Sequence, residues 1–193
     1  MDKQPTRKEI SHERIVETAA RAIRRGGYDG VGVADIMKEA GLTHGGFYAH
    51  FASRNALLVE ALERAGKTSA ASIARQTEAR KEKGVSPLRA LVDSYLSDSH
   101  LKATDAGCPV AALVSEMPRQ AADVRKASAA RVRALVNRVQ QALPARASAD
   151  QAFVIAGTLV GTLQLARAIG SIEQGKAMLA ATRKSLLHQY DKA

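Results

Sequence analysis

The residues with the strongest chemical signal form a short run at positions 43–51, Thr-His-Gly-Gly-Phe-Tyr-Ala-His-Phe. Thr43 lies where a helix is predicted to begin. Its hydroxyl can cap that helix and reach a phosphate, which the helix dipole also favours. Gly45 and Gly46 carry no side chains, so another molecule can approach the backbone of this segment closely. Each glycine lowers the stability of a helix by about 1 kcal/mol relative to alanine.

The elements that position this run are two short predicted helices. Apolar residues at helical spacing predict the first over Val33–Ala40, and Gly41 follows where helices commonly end in a left-handed turn. The second is predicted over His44–Phe51, capped by Thr43. Two short helices joined by a glycine-containing turn are typical of a helix-turn-helix motif, here at about residues 33–51.

Residues 11–62 resemble the DNA-binding domain of TetR-type (TetR/AcrR) transcriptional regulators. The matching run is IMKEAGLTHGGFYAHF at 36–51, followed by Ser53-Arg54 and Leu57-Leu58. The resemblance implies an all-α fold of about nine helices. Its N-terminal three-helix DNA-binding domain would span residues 1–60, and a helical ligand-binding and dimerisation domain would span residues 61–193.

The resemblance also implies the residues that contact double-stranded DNA. Tyr48 matches the family tyrosine that touches phosphate and base edges, and His50 and Arg54 match positions that bind the DNA backbone. His44 and Ala49 lie where family members vary, so they would help to set sequence preference. The full expected set is Thr43, His44, Gly45, Gly46, Tyr48, Ala49, His50 and Arg54.

Other interpretations of these residues remain open. Tyr48 could be a half-buried packing residue, while Phe47 and Phe51 are predicted to be core. His44 and His50 have no Cys or carboxylate at a matching spacing, so no metal and no cofactor are expected. The basic residues Lys3, Arg7 and Lys8 would form either an arm on the DNA or a solvated tail.

Two departures from the family pattern remove side-chain contacts. Gly32 stands where Ser or Thr usually caps the second helix and binds phosphate. Gly46 stands where Thr, Ser or Ala is common. Sequence preference would then depend on Tyr48, His44 and DNA shape.

The last two predicted helices, at about 149–190, indicate a homodimer interface. The first of them is apolar on nearly all sides and must be buried on nearly all sides. A partner subunit is the expected cover, and the alternative is the core of the monomer itself. Thr158, Thr162, Gln164 and Arg167 interrupt this segment, so no membrane span is expected.

The middle helices would bind a small-molecule inducer. With three Phe, four Tyr and no Trp in the chain, the pocket is expected to be lined mainly by Ala, Val and Leu, and the inducer to be apolar. The candidate ligand residues, chosen by helix face, are Tyr95, His100, Cys108, Leu113, Phe153 and Gln164.

Cys108 raises a second possibility for regulation. It precedes Pro109 at a predicted helix N-terminus, where the helix dipole lowers the pKa of a thiol. A repressor of the same fold that senses electrophiles or oxidants through Cys108 is therefore an alternative. A buried, inert cysteine is the other.

Composition bounds the remaining classes of function. The 193 residues are 46% hydrophobic and 25% charged, and they carry a net charge of +10, one Cys and no N-terminal apolar stretch. We therefore expect a cytoplasmic protein with no intrachain disulfide. Alanine is frequent and aromatics are few, which favours helices over strands. No catalytic motif is present, so we expect a ligand-released dimeric repressor, and a helical enzyme is the alternative from another class.

The net charge of +10 is distributed unevenly along the chain, so it is a poor guide to the DNA-binding surface. Residues 1–54 contain nine Lys and Arg against seven Asp and Glu, a net charge of only +2. Most of the excess lies beyond the predicted DNA-binding domain, notably in the basic stretch 119–138. That stretch has no role assigned by the sequence.

Overall fold

Helices are the regular elements of the part of the chain that the computed structural model describes, residues 4–145 and 147–191. The predicted all-α fold of about nine helices is confirmed. In chain order the helices are α1 (Arg7–Gly26), α2 (Val33–Glu39), α3 (Arg54–Lys81), α4 (Pro87–Tyr95), α5 (Asp98–Lys102), α6 (Pro109–Leu113), α7 (Ala122–Ala142), α8 (Ala149–Ala168) and α9 (Ile172–Tyr190). Two 3₁₀ segments, His44–Ala49 and Met117–Arg119, complete the set.

Thr6 caps the first helix, α1. The Thr6 hydroxyl accepts from the Glu9 amide at 3.2 Å, and the Glu9 carboxylate accepts from the Thr6 amide at 2.6 Å. This reciprocal capping box satisfies two orphan donors and places Ser11 inside the helix.

The helix-turn-helix packs against α1 and the start of α3. Gly41 has a φ of +71°, the left-handed turn expected after α2. Ile15, Ile23 and Leu58 are fully or almost fully buried in the core beneath the motif. That core fixes the orientation of the short 3₁₀ segment.

The long helix α3 joins the helix-turn-helix to the rest of the chain. The Ser53 side chain caps it by accepting from the Ala56 amide at 3.1 Å. The helix continues without a break as far as Lys81. The domain boundary expected after residue 60 falls inside this one continuous helix.

The remaining helices form a layered bundle in which α3 packs on α4 and α7, and α8 packs on α7 and α9. Pro87 opens α4, and the Ser86 side chain caps it. Lys102 ends the short helix α5, and α7 begins at Ala122 after the 3₁₀ turn that contains Pro118.

Within the described residues, α8 alone has the length and mean hydropathy of a membrane-spanning helix. Its Ile155, Leu159 and Leu163 side chains are fully buried within the bundle. A core helix of a bundle has the same length and composition, so this property by itself is weak evidence for a membrane.

Candidate nucleic-acid interface

Two phenylalanines hold the 3₁₀ segment against the core. Phe47 and Phe51 are almost fully buried, as predicted, and their ring centroids lie 5.6 Å apart. His12 from α1 stacks on Phe51 at 4.6 Å. Burial of these rings on one side leaves the opposite side of the segment facing solvent.

Tyr48 is the most exposed large side chain of this surface. It is 75% exposed and touches Phe47 only edge-on, with centroids 5.2 Å apart. Thr43, His44, Gly45 and Ala49 are exposed beside it. The structure therefore brings together the aromatic, hydroxyl and imidazole groups that the sequence indicated, on one open face, and Tyr48 is not a half-buried packing residue.

Thr43 does not cap the segment with its side chain, contrary to expectation. The segment is a 3₁₀ helix, and the Gly46 amide, a natural partner for the cap, bonds instead to the Thr43 carbonyl at 3.0 Å. The Thr43 hydroxyl remains exposed and unused by the fold. It stays available to a phosphate.

Arg54 has a structural contact in addition to its expected role. Its guanidinium donates to the carbonyl of Tyr28 and lies 3.8 Å from the Asp29 carboxylate. These contacts tie the loop after α1 to the start of α3. Because a guanidinium has five N–H donors, some remain for a phosphate.

The surroundings of His50 favour its neutral form. Burial, followed by the charges of His12 and Lys8, lowers its pKa below the ordinary value. Its Nδ1 is buried without a hydrogen-bond partner among the described residues. A contact of His50 with the DNA backbone would therefore be that of a neutral imidazole.

The predicted basic arm is in part helical. Arg7 and Lys8 are exposed in the first turn of α1, whereas Lys3 lies outside the described residues. Gly32 precedes α2 and, as expected for glycine, provides no side-chain cap to that helix. The positive charge near the predicted DNA-binding residues therefore comes from few side chains.

Three of the six candidate ligand residues line one of two neighbouring clefts, and the other three line neither. Tyr95 and Cys108 line a cleft of about 160 Å³ between α3, α6 and α7, and His100 lines a neighbouring one of about 150 Å³. Leu113 is fully buried, and neither it nor Gln164 lines either cleft. Phe153 is 62% exposed on α8, away from both. For a helix that is apolar on all sides, the spacing of apolar residues does not indicate which face points inward. The sequence therefore did not indicate that Phe153 is exposed.

The first cleft is lined by basic side chains as well as by apolar ones. Ala70, Ile73, Val110 and Leu135 are apolar, as expected, but basic side chains stand beside them. These are Lys67, Arg131 and Arg138. The two arginines are seven residues apart on α7, and this i, i+7 spacing was the sequence signal that they share a face.

Buried hydrogen bonds fix the tautomer of His100. The Cys108 amide donates to Nε2 at 2.9 Å, so Nε2 is unprotonated and Nδ1–H donates to the Tyr95 carbonyl at 2.7 Å. Burial lowers the pKa of His100 to about 4. The neutral ring is engaged on both nitrogens and provides no base or cation for the Cys108 thiol.

Several residues that sequence reasoning missed join the N-terminal helices to the middle of the chain. Arg24 donates to the Gly107 carbonyl at 3.4 Å, and the Tyr28 hydroxyl bonds to Ser128 at 3.1 Å. Glu116 accepts from the Tyr28 amide at 2.9 Å. Their sequence separation of 83 to 100 residues gives no local signal for these pairs.

Two family models match the chain. One, described as bacterial regulatory proteins, tetR family, matches residues 15–61, and the other, described as tetracyclin repressor-like, C-terminal domain, matches residues 84–182. An uncharacterised HTH-type transcriptional regulator of Mycobacterium tuberculosis is 33% identical over 168 residues. The match covers 80% of this chain and 83% of the relative.

Solved structures share the fold. A TetR-family regulator from Agrobacterium tumefaciens is 24% identical, with a TM-score of 0.74 over 95% of this chain and 98% of that one. The reduced form of Escherichia coli NemR is 23% identical, with a TM-score of 0.71 over 91% and 96%. At these identities the likeness establishes the arrangement of helices.

Proposed function

This chain belongs to the tetR family of bacterial regulatory proteins and is a DNA-binding transcriptional regulator, not an enzyme; from that premise we propose that it is a cytoplasmic, homodimeric repressor released from a palindromic operator by a small molecule. The proposal assigns DNA binding to residues 1–60 and ligand binding and dimerisation to residues 61–193. The observation that carries it is the open face around Tyr48, which is 75% exposed on a segment anchored by buried rings.

The direct readout of DNA is assigned to the exposed groups of that face. The Tyr48 hydroxyl and the His44 imidazole can reach base edges or phosphates, and Ala49 offers a methyl contact, for example to thymine. Gly45 has open space where a Cβ would stand, so the backbone there can approach the groove. Thr43, Gly46, His50 and Arg54 complete the proposed contact set.

The proposed dimer forms through α8 and α9. Phe153, Gly157, Gly161 and Leu165 of α8 and its C-cap residue Ile169 recur every four residues, and the three large side chains among them are 42–62% exposed. A Cβ at either glycine would meet nothing within 4 Å. An apolar helix stripe with glycines at its centre favours close packing against the same stripe of a second copy.

The helix α3 provides a physical route from ligand to DNA. Its 28 residues span about 42 Å, and Ser69 and Ile73 at the cleft lie about 23 and about 29 Å along the helix from Arg54 beside the DNA face. A ligand that binds preferentially to a cleft conformation incompatible with the DNA-bound position of residues 1–60 shifts the protein toward a state that does not bind the operator. In a dimer the two DNA-binding domains must meet major grooves about 34–36 Å apart, so a small tilt of α3 disrupts both contacts.

The alternative of sensing electrophiles or oxidants through Cys108 gains no support from the contacts of this residue. Cys108 is 6% exposed, and the adjacent His100 is neutral and hydrogen-bonded at both ring nitrogens. A buried thiol is poorly accessible to an electrophile, and His100 supplies no base to it.

The experiment that tests the proposed function is selection of duplexes from a random pool by the full chain. We expect enrichment of one palindrome, bound by two protomers as measured by analytical ultracentrifugation. Recovery of no enriched sequence, or binding by a single protomer to an asymmetric site, would contradict the proposal.

A further inference from the structure

Basic side chains converge on the cleft between α3, α6 and α7 without an acidic partner. Lys67 comes from α3, and Arg131 and Arg138 come from α7. The cleft lining contains no Asp or Glu, and the ion pairs of residues 4–145 and 147–191 involve none of the three. Like charges held together in a concave, partly apolar site repel one another and favour the binding of an anion.

Two residues that line this cleft each have a buried polar atom without a hydrogen-bond partner among the described residues. These atoms are the hydroxyl of Tyr95, whose side chain is fully buried, and Nε of Arg131. The Cys108 thiol lies beside the Tyr95 hydroxyl, but sulfur is only a weak acceptor. An unpartnered buried donor destabilises the protein, and an oxygen-bearing ligand would satisfy both donors.

The backbone is shaped to hold Arg131 in place. A Cβ at Gly66 would lie 2.7 Å from Cδ and 2.8 Å from Nη1 of Arg131, so the arginine lies directly against the α3 backbone. A glycine in the middle of a helix costs about 1 kcal/mol relative to alanine. At this position it leaves the room that the guanidinium occupies.

The rest of the cleft limits the size and polarity of its occupant. Ile73, Val110 and Leu135 provide apolar surface next to the basic groups. The volume is about 160 Å³, and a cavity of about 150 Å³ is large enough for a benzene ring. The fitting molecule is therefore small, with one charged end and one apolar end.

We propose that the effector of this regulator is a small organic carboxylate of about the size of benzoate, held by Arg131 and the Tyr95 hydroxyl. Arg138 and Lys67 add positive potential, and the apolar body lies on Ile73 and Leu135. The proposal rests on the function proposed above and replaces the apolar inducer expected from the sequence. Burial raises the pKa of Tyr95, which keeps the phenol protonated as a donor to the carboxylate.

The test compares acids with their neutral amides by isothermal titration calorimetry on the full chain. The pairs are benzoate with benzamide, phenylacetate with phenylacetamide, and hexanoate with hexanamide. We expect at least one acid to bind with a Kd below about 1 mM and its amide to bind at least about tenfold more weakly. Absence of binding by all three acids up to about 10 mM, or equal binding of acid and amide, overturns the proposal.

Single variants locate the binding site. Arg131→Met should weaken binding of the acid about 30-fold, and Tyr95→Phe about tenfold. Arg133→Met is the matched control, since Arg133 is exposed on the same helix and does not line the cleft. Gly66→Ala keeps the charge but displaces Arg131, so it should also weaken binding. Equal affinities for wild type and Arg131→Met would place the acid elsewhere and overturn the assignment.

Operator binding separates failure of this inference from failure of the proposed function. Without ligand, Arg131→Met should bind the selected operator as wild type does, but the acid should no longer release it. If the operator binds and the acids do not, only the carboxylate proposal fails. If no operator binds while the acid does, the repressor function fails and the carboxylate site stands.

Discussion

The Glu116 carboxylate accepts a hydrogen bond at 2.9 Å from the backbone amide of Tyr28, at the loop that follows α1. This bond joins the helix-turn-helix to the helices around the ligand cleft. Gly27, beside Tyr28, has a φ of +79°, and a Cβ there would lie 2.7 Å from the same carboxylate. The loop is therefore built to admit Glu116 closely.

Glu116→Ala should destabilise the protein and weaken communication between the two parts. It leaves the Tyr28 amide without its charged acceptor, which should lower the free energy of unfolding by about 2 kcal/mol. Urea unfolding measures the loss. Glu116→Gln retains an oxygen acceptor and should recover about half of it. Equal stability of the alanine variant and wild type would show that the bond contributes nothing.

Removal of the hydroxyl should lower the stability of the protein at Tyr28 but not at Tyr95, although both tyrosines are buried. Tyr28 and Tyr95 are both fully buried, but the Tyr28 hydroxyl bonds to Ser128 whereas that of Tyr95 has no partner among the described residues. Tyr28→Phe should cost about 1 kcal/mol, and Tyr95→Phe should be neutral or stabilising. Paired urea titrations decide it, and a larger loss for Tyr95→Phe would contradict the assignment of an unsatisfied hydroxyl.

Stability should fall in acid because of His100. Burial lowers its folded-state pKa from 6.5 to about 4, so the unfolded chain takes up a proton at higher pH than the folded chain. The contribution, about 3 kcal/mol, is complete above pH 6.5 and is lost as the pH falls through 4. His100→Gln should be less stable near neutrality and should show a flatter dependence on pH in this range. An unchanged slope would assign the acid sensitivity to other groups.

Gly157→Arg should yield a folded monomer. The site is open in the single chain, and arginine favours helix more than glycine does, so the helical circular dichroism should persist. A charged side chain at the centre of the proposed stripe on α8 would prevent close packing of two copies. Sedimentation velocity measures the oligomeric state, with Ala79→Arg on the exposed side of α3 as control. A dimeric Gly157→Arg variant would move the interface away from this stripe.

Much of the fold followed from local signals in the sequence. Ser53 and Ser86 mark helix starts, and Gly41 marks a turn, because capping and left-handed turns depend on a few adjacent residues. The capping box of Thr6 and Glu9 is an equally local signal. Helix boundaries set by residues three or four positions apart are thus within reach of sequence reasoning.

The site was predictable only in part, because contacts between distant segments have no local signal. The exposed face around Tyr48 followed from the motif, but the structural bond of Arg54 to Tyr28 did not. Arg131 and Arg138 were visible as part of a basic stretch, yet their cleft exists only because α3 packs on α7. The residue types on one face of a helix could be predicted from the sequence, but the segment that packs against that face could not.

The most direct test of the central claim, that the 3₁₀ face reads DNA, is the affinity of Tyr48→Ala for the selected operator by fluorescence anisotropy. Because Tyr48 is 75% exposed, the variant should fold and dimerise as wild type does. We predict at least about 30-fold weaker binding, against no change for Lys81→Ala, an exposed cation at the far end of α3. Wild-type affinity of a folded, dimeric Tyr48→Ala variant would contradict the account.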